Sequence, residues 1–319
     1  MRATSMVGNW SVSEGMSMAA HSPPKVSIGL PVFNGQEYLR EAIESVLAQS
    51  FADFELLISD NASTDATPEI CREFADADRR VRYLRNESNL GASRNWNKVF
   101  EMATGKYFKW LAHDDILGRD LLAKTVHVLD SDRSVVLCYP GAARIDERGE
   151  VLGERHGKLM RGMSASPVER YREVMRAGTH GPALFGLMRK EVLELTKVYQ
   201  PYPGSPHVML SALALHGRFF ELPEHLTSTR DHSGRYSGRT KSMREKLAWW
   251  DPALTGRLAF PGWRRLGDYL GSVSRSPLTR RQRILCYYMS FRWAMRNIGR
   301  LINDLTMNLN LRGRGPKRA

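Results

Sequence analysis

Cysteine is scarce in this 319-residue chain: Cys71, Cys138 and Cys286 are far apart, odd in number and free of Cys-x-x-Cys spacing. That excludes a disulfide framework, gives no sign of a structural zinc site and points to a reducing compartment. Long apolar runs are missing as well. No stretch approaches the roughly 18 to 20 uninterrupted apolar residues of a membrane-spanning helix, and Met1 to Pro24 has neither the basic start nor the apolar middle of a secretory leader. Residues 1–24 therefore read as a disordered lead-in. Acidic residues are depleted from one end. Residues 240–319 hold 17 Lys and Arg against 4 Asp and Glu, so the net charge of +13 lies wholly in the last quarter and the rest is balanced. A composition boundary near Ser237 to Lys241 follows, with a different task for what lies beyond it.

What is present suits a globular protein: 42% hydrophobic and 25% charged residues over this length allow one large domain or two ordinary ones. Lys25 to Phe33 is a short apolar, β-rich run between Pro24 and Asn34-Gly35, which predicts a buried first strand. Glu37 to Gln49 places Leu39, Ile43, Val46 and Leu47 at helical spacing. Phe54 to Ser59 repeats the apolar run, Asp60 to Asp65 is a polar turn, and Pro68 to Ala75 is a second helix. Val81 to Leu84 predicts a third strand, Asn86 to Arg94 a glycine-containing loop, Asn95 to Ala103 a helix, and Tyr107 to Ala112 a fourth strand. Strands alternating with helices at this interval imply a parallel α/β sheet whose ligands sit beyond the strands' carboxyl ends. The loops at 31–35, 60–65 and 113–115 should then share one cleft.

The fourth strand ends in Asp114-Asp115. Adjacent carboxylates at the end of a buried strand are costly unless something positive neutralises them, and oxygen ligands of this kind suit a hard divalent cation. The other reading is a strand leaving the core into a loop whose aspartates are solvated or cap the next helix.

Taken in order, Val26-Ser-Ile-Gly-Leu-Pro-Val-Phe-Asn-Gly-Gln-Glu-Tyr-Leu39, Ser45 to Phe51, Ile58-Ser-Asp-Asn-Ala-Ser-Thr-Asp65, Asn89-Leu-Gly-Ala-Ser-Arg-Asn95 and His113-Asp-Asp115 resemble the successive motifs of family 2 glycosyltransferases. Each is weak alone, but five in order over about a hundred residues form a specific signal. The resemblance implies a GT-A fold over residues 25–237, with a donor-binding half at 25–130 and an acceptor half at 131–237. It also implies a nucleoside-diphosphate-sugar donor, a divalent metal (Mn²⁺ or Mg²⁺) and transfer with inversion at the anomeric carbon.

By the same resemblance Pro31, Phe33 and Asn34 lie along the base and ribose, and Glu37 is the acidic residue after that loop. Asp60 reaches the base edge, with Asn61, Ser63 and Asp65 completing its loop; an ordinary Asx turn and helix cap would look much the same locally. Gly91 and Arg94 belong to a loop closing over the diphosphate. His113-Asp114-Asp115 takes the place of a DxD motif, with histidine as its first member. Asp115 is then the leading metal ligand and a catalytic residue, with Asp114 beside it at the ribose or the metal. His232 is a further metal or diphosphate ligand, and Arg230 and Arg235 would add phosphate contacts.

The resemblance is thinner on the acceptor side, where Phe185 to Leu193, Leu210 to Phe219, Glu224-His-Leu226 and Arg230-Asp-His232 carry it. The family's acceptor base is an Asp or Glu near the start of a helix, yet Gly204-Ser-Pro-His-Val-Met209 holds no carboxylate. His207 could serve, since an imidazole titrates near neutrality; Glu221 is the nearest carboxylate alternative, and a helix-start histidine without a chemical part is the other reading.

The remaining region, 238–319, is basic, aromatic and helical in pattern. Between Arg280 and Leu309, Ile284, Leu285, Tyr288, Phe291, Met295, Ile298, Leu301, Ile302 and Leu305 recur at three- and four-residue steps, predicting one long amphipathic helix with a basic face. That helix either packs its stripe on the catalytic domain or meets an anionic membrane surface through residues 240–319. No nucleic-acid recognition motif accompanies the charge. The sequence thus points to a metal-dependent, inverting glycosyltransferase acting on a carbohydrate or glycolipid acceptor in cell-envelope synthesis, cytoplasmic and peripheral at the inner face of the membrane. The alternatives are a nucleotide-sugar-binding protein without transferase activity, its base being absent near 204–207, and a basic binding protein whose N-terminal half is a scaffold.

Overall fold

The computed structural model describes residues 22–155, 164–177, 181–234 and 242–312. Residues 1–21, Arg235 and the composition boundary at 237–241 lie outside the described residues. In chain order the strands are β1 (Val26–Val32), β2 (Phe54–Asp60), β3 (Val81–Arg85), β4 (Tyr107–Trp110), β5 (Ile116–Leu117), β6 (Val135–Ile145), β7 (Val151–Arg155), β8 (Leu187–Arg189) and β9 (Arg218–Arg230). They form one sheet in the order β3-β2-β1-β4-β8-β6-β9-β5, with β7 paired to β6. β1, β2, β3 and β4 are mutually parallel, as their alternation with helices requires. β8 and β5 run antiparallel to their neighbours, so the second half is mixed.

β1 and β2 are buried along their whole length, and both are rich in Val, Ile and Leu, with the small residues Ser27 and Gly29 on the second face of β1. One face packs against α1 (Leu39–Leu47), α2 (Thr67–Ala77) and, further along, α4 (Leu121–Ser131); Ile28, Leu30, Ile43, Cys71, Leu122 and Leu129 meet there. The opposite face packs against α3 (Ala92–Glu101) and α7 (Ser205–His216) through Val99, Phe108, Trp110, Met209 and Leu213. Gly29 sets how near α3 comes to the sheet: a Cβ there would lie 2.6 Å from Val99 Cγ2 and 2.8 Å from Phe108 Cζ.

Helix α3 begins at Ala92, three residues before the start its apolar pattern predicts, so Arg94 sits in its first turn rather than in a loop. Its N-cap is Gly91, which offers no side-chain cap, and the sequence gives no ordinary start signal there.

Two helices, α5 (Pro167–Ala177) and α6 (Lys190–Leu193), flank β8. Beyond β9 come α8 (Met243–Trp250), α9 (Pro261–Arg275), α10 (Arg280–Arg296) and α11 (Ile298–Arg312). The helix predicted from 280 onward is therefore two, broken at Asn297. Thr279 and Gln282 form a capping box that fixes the start of α10. Small residues make its inner face: Cys286, Ser290 and Ala294 are buried, and Ser290 Oγ lies 2.8 Å from the Tyr171 hydroxyl on α5. The large apolar residues of the stripe point outward instead, with Ile284 67%, Phe291 60% and Met295 53% exposed; Leu301 alone among the stripe's members is fully buried. Packing on the domain is thus achieved, but by a different face from the one the periodicity suggests. Among the described residues no helix is long and apolar enough to cross a membrane.

Candidate active site

The parallel strands β1, β2 and β4 end at one edge of the sheet, and the loops after β1 and β2 are tied together by hydrogen bonds between backbone and side chain. The amide of Asn34 donates to Ser63 Oγ at 2.9 Å, and Asn34 Oδ1 accepts from the Thr64 amide at 2.8 Å. Gln36 N–H donates to Asp65 Oδ2 at 3.1 Å, and Gln36 Oε1 accepts from Ala66 N–H at 2.9 Å. Burial acts to raise the Asp65 carboxyl, yet hydrogen bonds from Thr67 and Gln36 hold it below its ordinary range. Asn34 and Ala62 both take positive φ, at 51° and 63°. Such strain in non-glycine residues is concentrated where loops are held for function. Pro31 is buried within β1, Phe33 projects from the rim with 44% of its surface exposed, and Glu37 is exposed beside it.

Asp60 is completely buried and its carboxylate is already engaged. Oδ1 accepts from Ser63 N–H at 2.8 Å, Oδ2 from the Tyr83 hydroxyl at 2.9 Å, and Arg85 Nε lies 3.4 Å away. Its local geometry is that of the Asx turn weighed above. Asn61 joins this loop to the next one, donating to Asn89 Oδ1 at 2.9 Å and accepting from Leu90 N–H at 2.9 Å. Asn86 bridges Asn61 and Asn95, and Lys98 donates to Asn86 Oδ1 at 2.8 Å. This chain of buried amides, satisfied on every side, fixes the donor loops as one unit.

Gly91 and Arg94 face the C-terminal region. Gly91 has φ +82°, and a Cβ there would meet Pro252 Cδ at 2.5 Å and the Trp250 carbonyl oxygen at 2.8 Å. Ser93 Oγ donates to that carbonyl at 2.8 Å, and Arg94 is 3.4 Å from Asp251 Oδ2. The cation assigned to a diphosphate is thus drawn toward a carboxylate of the last quarter of the chain.

Asp114 and Asp115 are both buried. Asp114 Oδ2 lies 2.9 Å from His232 Nε2, which brings together two residues 118 positions apart. The His232 ring also packs on Tyr38 at 5.0 Å between centroids. His113 packs on Gly35, and burial pushes its imidazole pKa down. Asp115 Oδ1 accepts from the Arg230 amide at 3.3 Å. β5 pairs with β9 here, Ile116 opposite Ser228, and this register delivers Arg230 and His232 to the aspartates.

Two buried cations lie beside the pair: Lys109, which sequence reasoning passed over, and Arg230, whose burial it did not foresee. Lys109, in the middle of β4, is buried; burial pushes its ammonium down to about 7 against the opposing pull of Asp115, and Nζ donates to the Trp110 carbonyl at 3.0 Å. A lysine inside the run Tyr-Phe-Lys-Trp-Leu is the signal that marks it. Arg230 was expected among solvent-facing phosphate contacts, but it is 2% exposed. Its guanidinium donates to the carbonyls of Asp146 at 3.0 Å and Glu147 at 3.3 Å, pairs with Glu41 and lies 4.6 Å above the Tyr38 ring. It is a clamp between β9, the turn at 146–147 and α1, made by its two terminal nitrogens and its face, while its buried Nε has no hydrogen-bond partner among the described residues.

Asp114 and His232 stand at a spacing that two ligands of one ion adopt, the carboxylate being a ligand for a hard divalent cation and the imidazole one for a softer ion. No group of three or more such side chains converges among the described residues. An ion held there would have to share its remaining positions with water or substrate phosphates rather than sit in an all-protein cage.

The acceptor-side residue His207 is elsewhere. It is buried on α7, 2.7 Å from the Tyr269 hydroxyl and 3.3 Å from Ser211 Oγ through Nδ1. It lines a cavity whose other walls come from α5, α9, α10 and the start of α11, and no donor-loop residue is among them. Its place is in the packing between α7 and α9. Glu221, on β9, accepts a hydrogen bond from the Tyr139 hydroxyl at 3.1 Å.

Comparison with known proteins agrees with this geometry. The family described as glycosyl transferase family 2 matches residues 27–195. An uncharacterized glycosyltransferase of Rickettsia prowazekii is 35% identical over 130 residues, 40% of each chain. A putative teichuronic acid biosynthesis glycosyltransferase of Bacillus subtilis is 33% identical over 129 residues, 40% of this chain and 51% of the relative. The chain thus spans about half or less of these relatives. Among solved structures, S. aureus TarS in complex with UDP-GlcNAc superposes with a TM-score of 0.63 at 14% identity, over 88% of this chain and 79% of that one. The curled sheet with helices on both faces is the GT-A architecture.

Proposed function

Because the chain belongs to glycosyl transferase family 2, we propose that it moves a sugar from a nucleoside-diphosphate sugar to a hydroxyl acceptor with inversion, in cell-envelope polysaccharide or glycolipid synthesis. The observation that carries the reading is the rim at the carboxyl ends of the parallel strands, where the loops after β1 and β2 are hydrogen-bonded into one piece and β4 leads to buried Asp114 and Asp115. The relatives named for teichuronic acid synthesis and the UDP-GlcNAc complex of TarS support the envelope and the donor class.

In this reading the exposed ring of Phe33 stacks on the base, with Pro31, Asn34 and Glu37 along the same edge. Asp60, Asn61, Ser63 and Asp65 hold the loop that meets the base and ribose. Gly91 lets the backbone approach the donor, and Arg94 turns from Asp251 toward the diphosphate. Asp115, Asp114 and His232 would hold Mn²⁺ or Mg²⁺. Bound with the donor, such an ion supplies neutralisation of the charge that develops on the departing nucleoside diphosphate. Lys109 and the Arg230 amide balance Asp115 from beneath, so the aspartate keeps its orientation while the donor comes and goes.

A second reading, donor binding without transfer, is favoured by the acceptor side: residues 204–207 carry no carboxylate and the Nδ1 of His207 is taken by Tyr269. Incubation with a panel of nucleotide sugars and Mn²⁺ separates the two, because transfer or slow donor hydrolysis belongs to the first and binding alone to the second. Either way, Asp115→Ala should abolish metal-dependent nucleotide binding; an unchanged affinity would overturn the donor site. The exposed apolar residues of α10 and the basic charge of 240–319 support a peripheral place at the cytoplasmic face of an anionic membrane.

A further inference from the structure

The cavity that His207 lines has its own chemistry. It measures about 430 Å³, within the range of small-ligand sites. Six of its thirteen lining residues are arginines: Arg172 and Arg176 from α5, Arg265 from α9, Arg292 and Arg296 from α10, and Arg300 from α11. No aspartate or glutamate lines it. Arg172 is paired with Glu169 outside the cavity, and Arg265 is held on the Tyr269 hydroxyl and 5.0 Å from the Trp293 ring. Among the described residues, Arg176, Arg292, Arg296 and Arg300 form no ion pair.

Guanidinium groups gathered in one concavity repel one another, an effect that water screens at the exposed Arg176, Arg292, Arg296 and Arg300, and an anion among them gains from all of their fields at once. Their placement also selects the kind of anion. A carboxylate offers two oxygens in one plane and is saturated by one or two guanidinium forks, whereas a phosphate or diphosphate offers oxygens on all sides and can accept from several helices at once. The rim adds a second clue. Tyr288 and Leu285 of the lining belong to the same α10 turns as Ile284, Phe291 and Met295, which stand in solvent. An apolar chain attached to a phosphate in the cavity would find a surface to lie on.

We propose that this arginine-lined cavity is a binding site for a phosphate or diphosphate group, distinct from the donor rim. The site is read from binding alone and stands apart from sugar transfer. Its test is labelling of the full chain by phenylglyoxal in EDTA, resolved by mass spectrometry at each arginine. Inorganic pyrophosphate should slow modification of Arg292, Arg296 and Arg300 about tenfold while exposed Arg133 and Arg244 react at their original rates. Equal rates with and without pyrophosphate, or equal slowing at all five, would overturn the site. A second arm identifies the source. If the phosphate belongs to a lipid, the chain co-sediments with phosphatidylcholine vesicles only when they contain a polyprenyl diphosphate, and Arg292→Gln/Arg296→Gln weakens that recruitment about tenfold. If pyrophosphate protects and vesicles do not recruit, the ligand is a soluble phosphate. Both substituted arginines are exposed, so the double variant should fold, and its circular dichroism melt confirms that before it is used.

Discussion

Removing the Arg230 guanidinium should cost more than any other single side chain near the aspartates. Arg230→Met keeps the length and apolar stem but leaves the carbonyls of Asp146 and Glu147 without their donor and Tyr38 without its cation. A hydrogen bond to a charged group contributes about 1.5 to 3 kcal/mol, and a desolvated cation over a ring about 1 to 2 kcal/mol. The ion pair with Glu41 is discounted, since that carboxylate is 53% exposed and can turn to water. The turn at 146–147 is also partly open to solvent, which trims the carbonyl terms, and an overall loss of about 3 kcal/mol remains. Against a typical stability of about 5 to 15 kcal/mol this is a large fraction. With a urea slope of about 3 kcal/mol/M, the midpoint should fall by about 1 M. Arg230→Lys retains charge but not the fork and should recover less than half of the shift. Nucleotide binding should weaken less than stability, because the Arg230 amide, not its side chain, holds Asp115. A midpoint within about 0.2 M of the parent in Arg230→Met would refute the clamp.

Three further outcomes follow from other parts of the molecule. Burial acts to raise the Glu55 carboxyl, but hydrogen bonds from Ser27 and Thr104 outweigh it and hold the pKa below its ordinary 4.5. Its stabilisation is present in full above that value and is lost as pH falls through the lower folded-state pKa. Glu55→Gln should therefore lose about 2 kcal/mol at neutral pH and converge with the parent in acid unfolding curves; a constant offset at every pH would refute this. Gly91→Ala places a Cβ against Pro252 at a φ and ψ that only glycine takes readily. It should lower the melting temperature by about 5 to 10 °C, and an unchanged melt would show that the latch yields freely. For the membrane surface, Ile284→Ser/Phe291→Ser should reduce co-sedimentation with phosphatidylglycerol vesicles about tenfold or more, each buried side chain contributing about 2 kcal/mol; undiminished binding would count against that surface.

The parallel half of the sheet was legible because its buried strands read as short runs rich in Val, Ile, Leu and aromatics, and because five loop motifs fall in order between them. Where legibility failed, a local rule was overruled by a partner distant in sequence. Helix α3 starts early at a glycine whose φ is dictated by Trp250 and Pro252, about 160 positions away. The break at Asn297 is hidden because the apolar step continues through it, from Met295 to Ile298 and Ile302. The stripe was left open between a packing face and a membrane-facing one, since periodicity reports which residues share a side and not which side is buried. The deciding residues, Cys286, Ser290 and Ala294, are small, and small residues let α10 approach α5 closely. Lys109 and Arg230 were not singled out as buried charges because sequence alone shows no burial, and His207 was weighed as a base without sight of Tyr269.

The composition boundary near 237–241 separates charge but does not separate structure. Trp250 is a member of the same buried cluster as Phe108, Trp110 and Tyr199, and its ring stacks on Tyr199 at 5.9 Å. Its carbonyl accepts from Ser93, Asp251 faces Arg94, and Pro252 closes on Gly91. Each contact falls on the Asn89–Asn95 segment, which is itself wired to the Asp60–Asp65 loop through Asn61, Asn86 and Asn95. The basic quarter thus reaches the donor rim through an unbroken run of hydrogen bonds and packed rings.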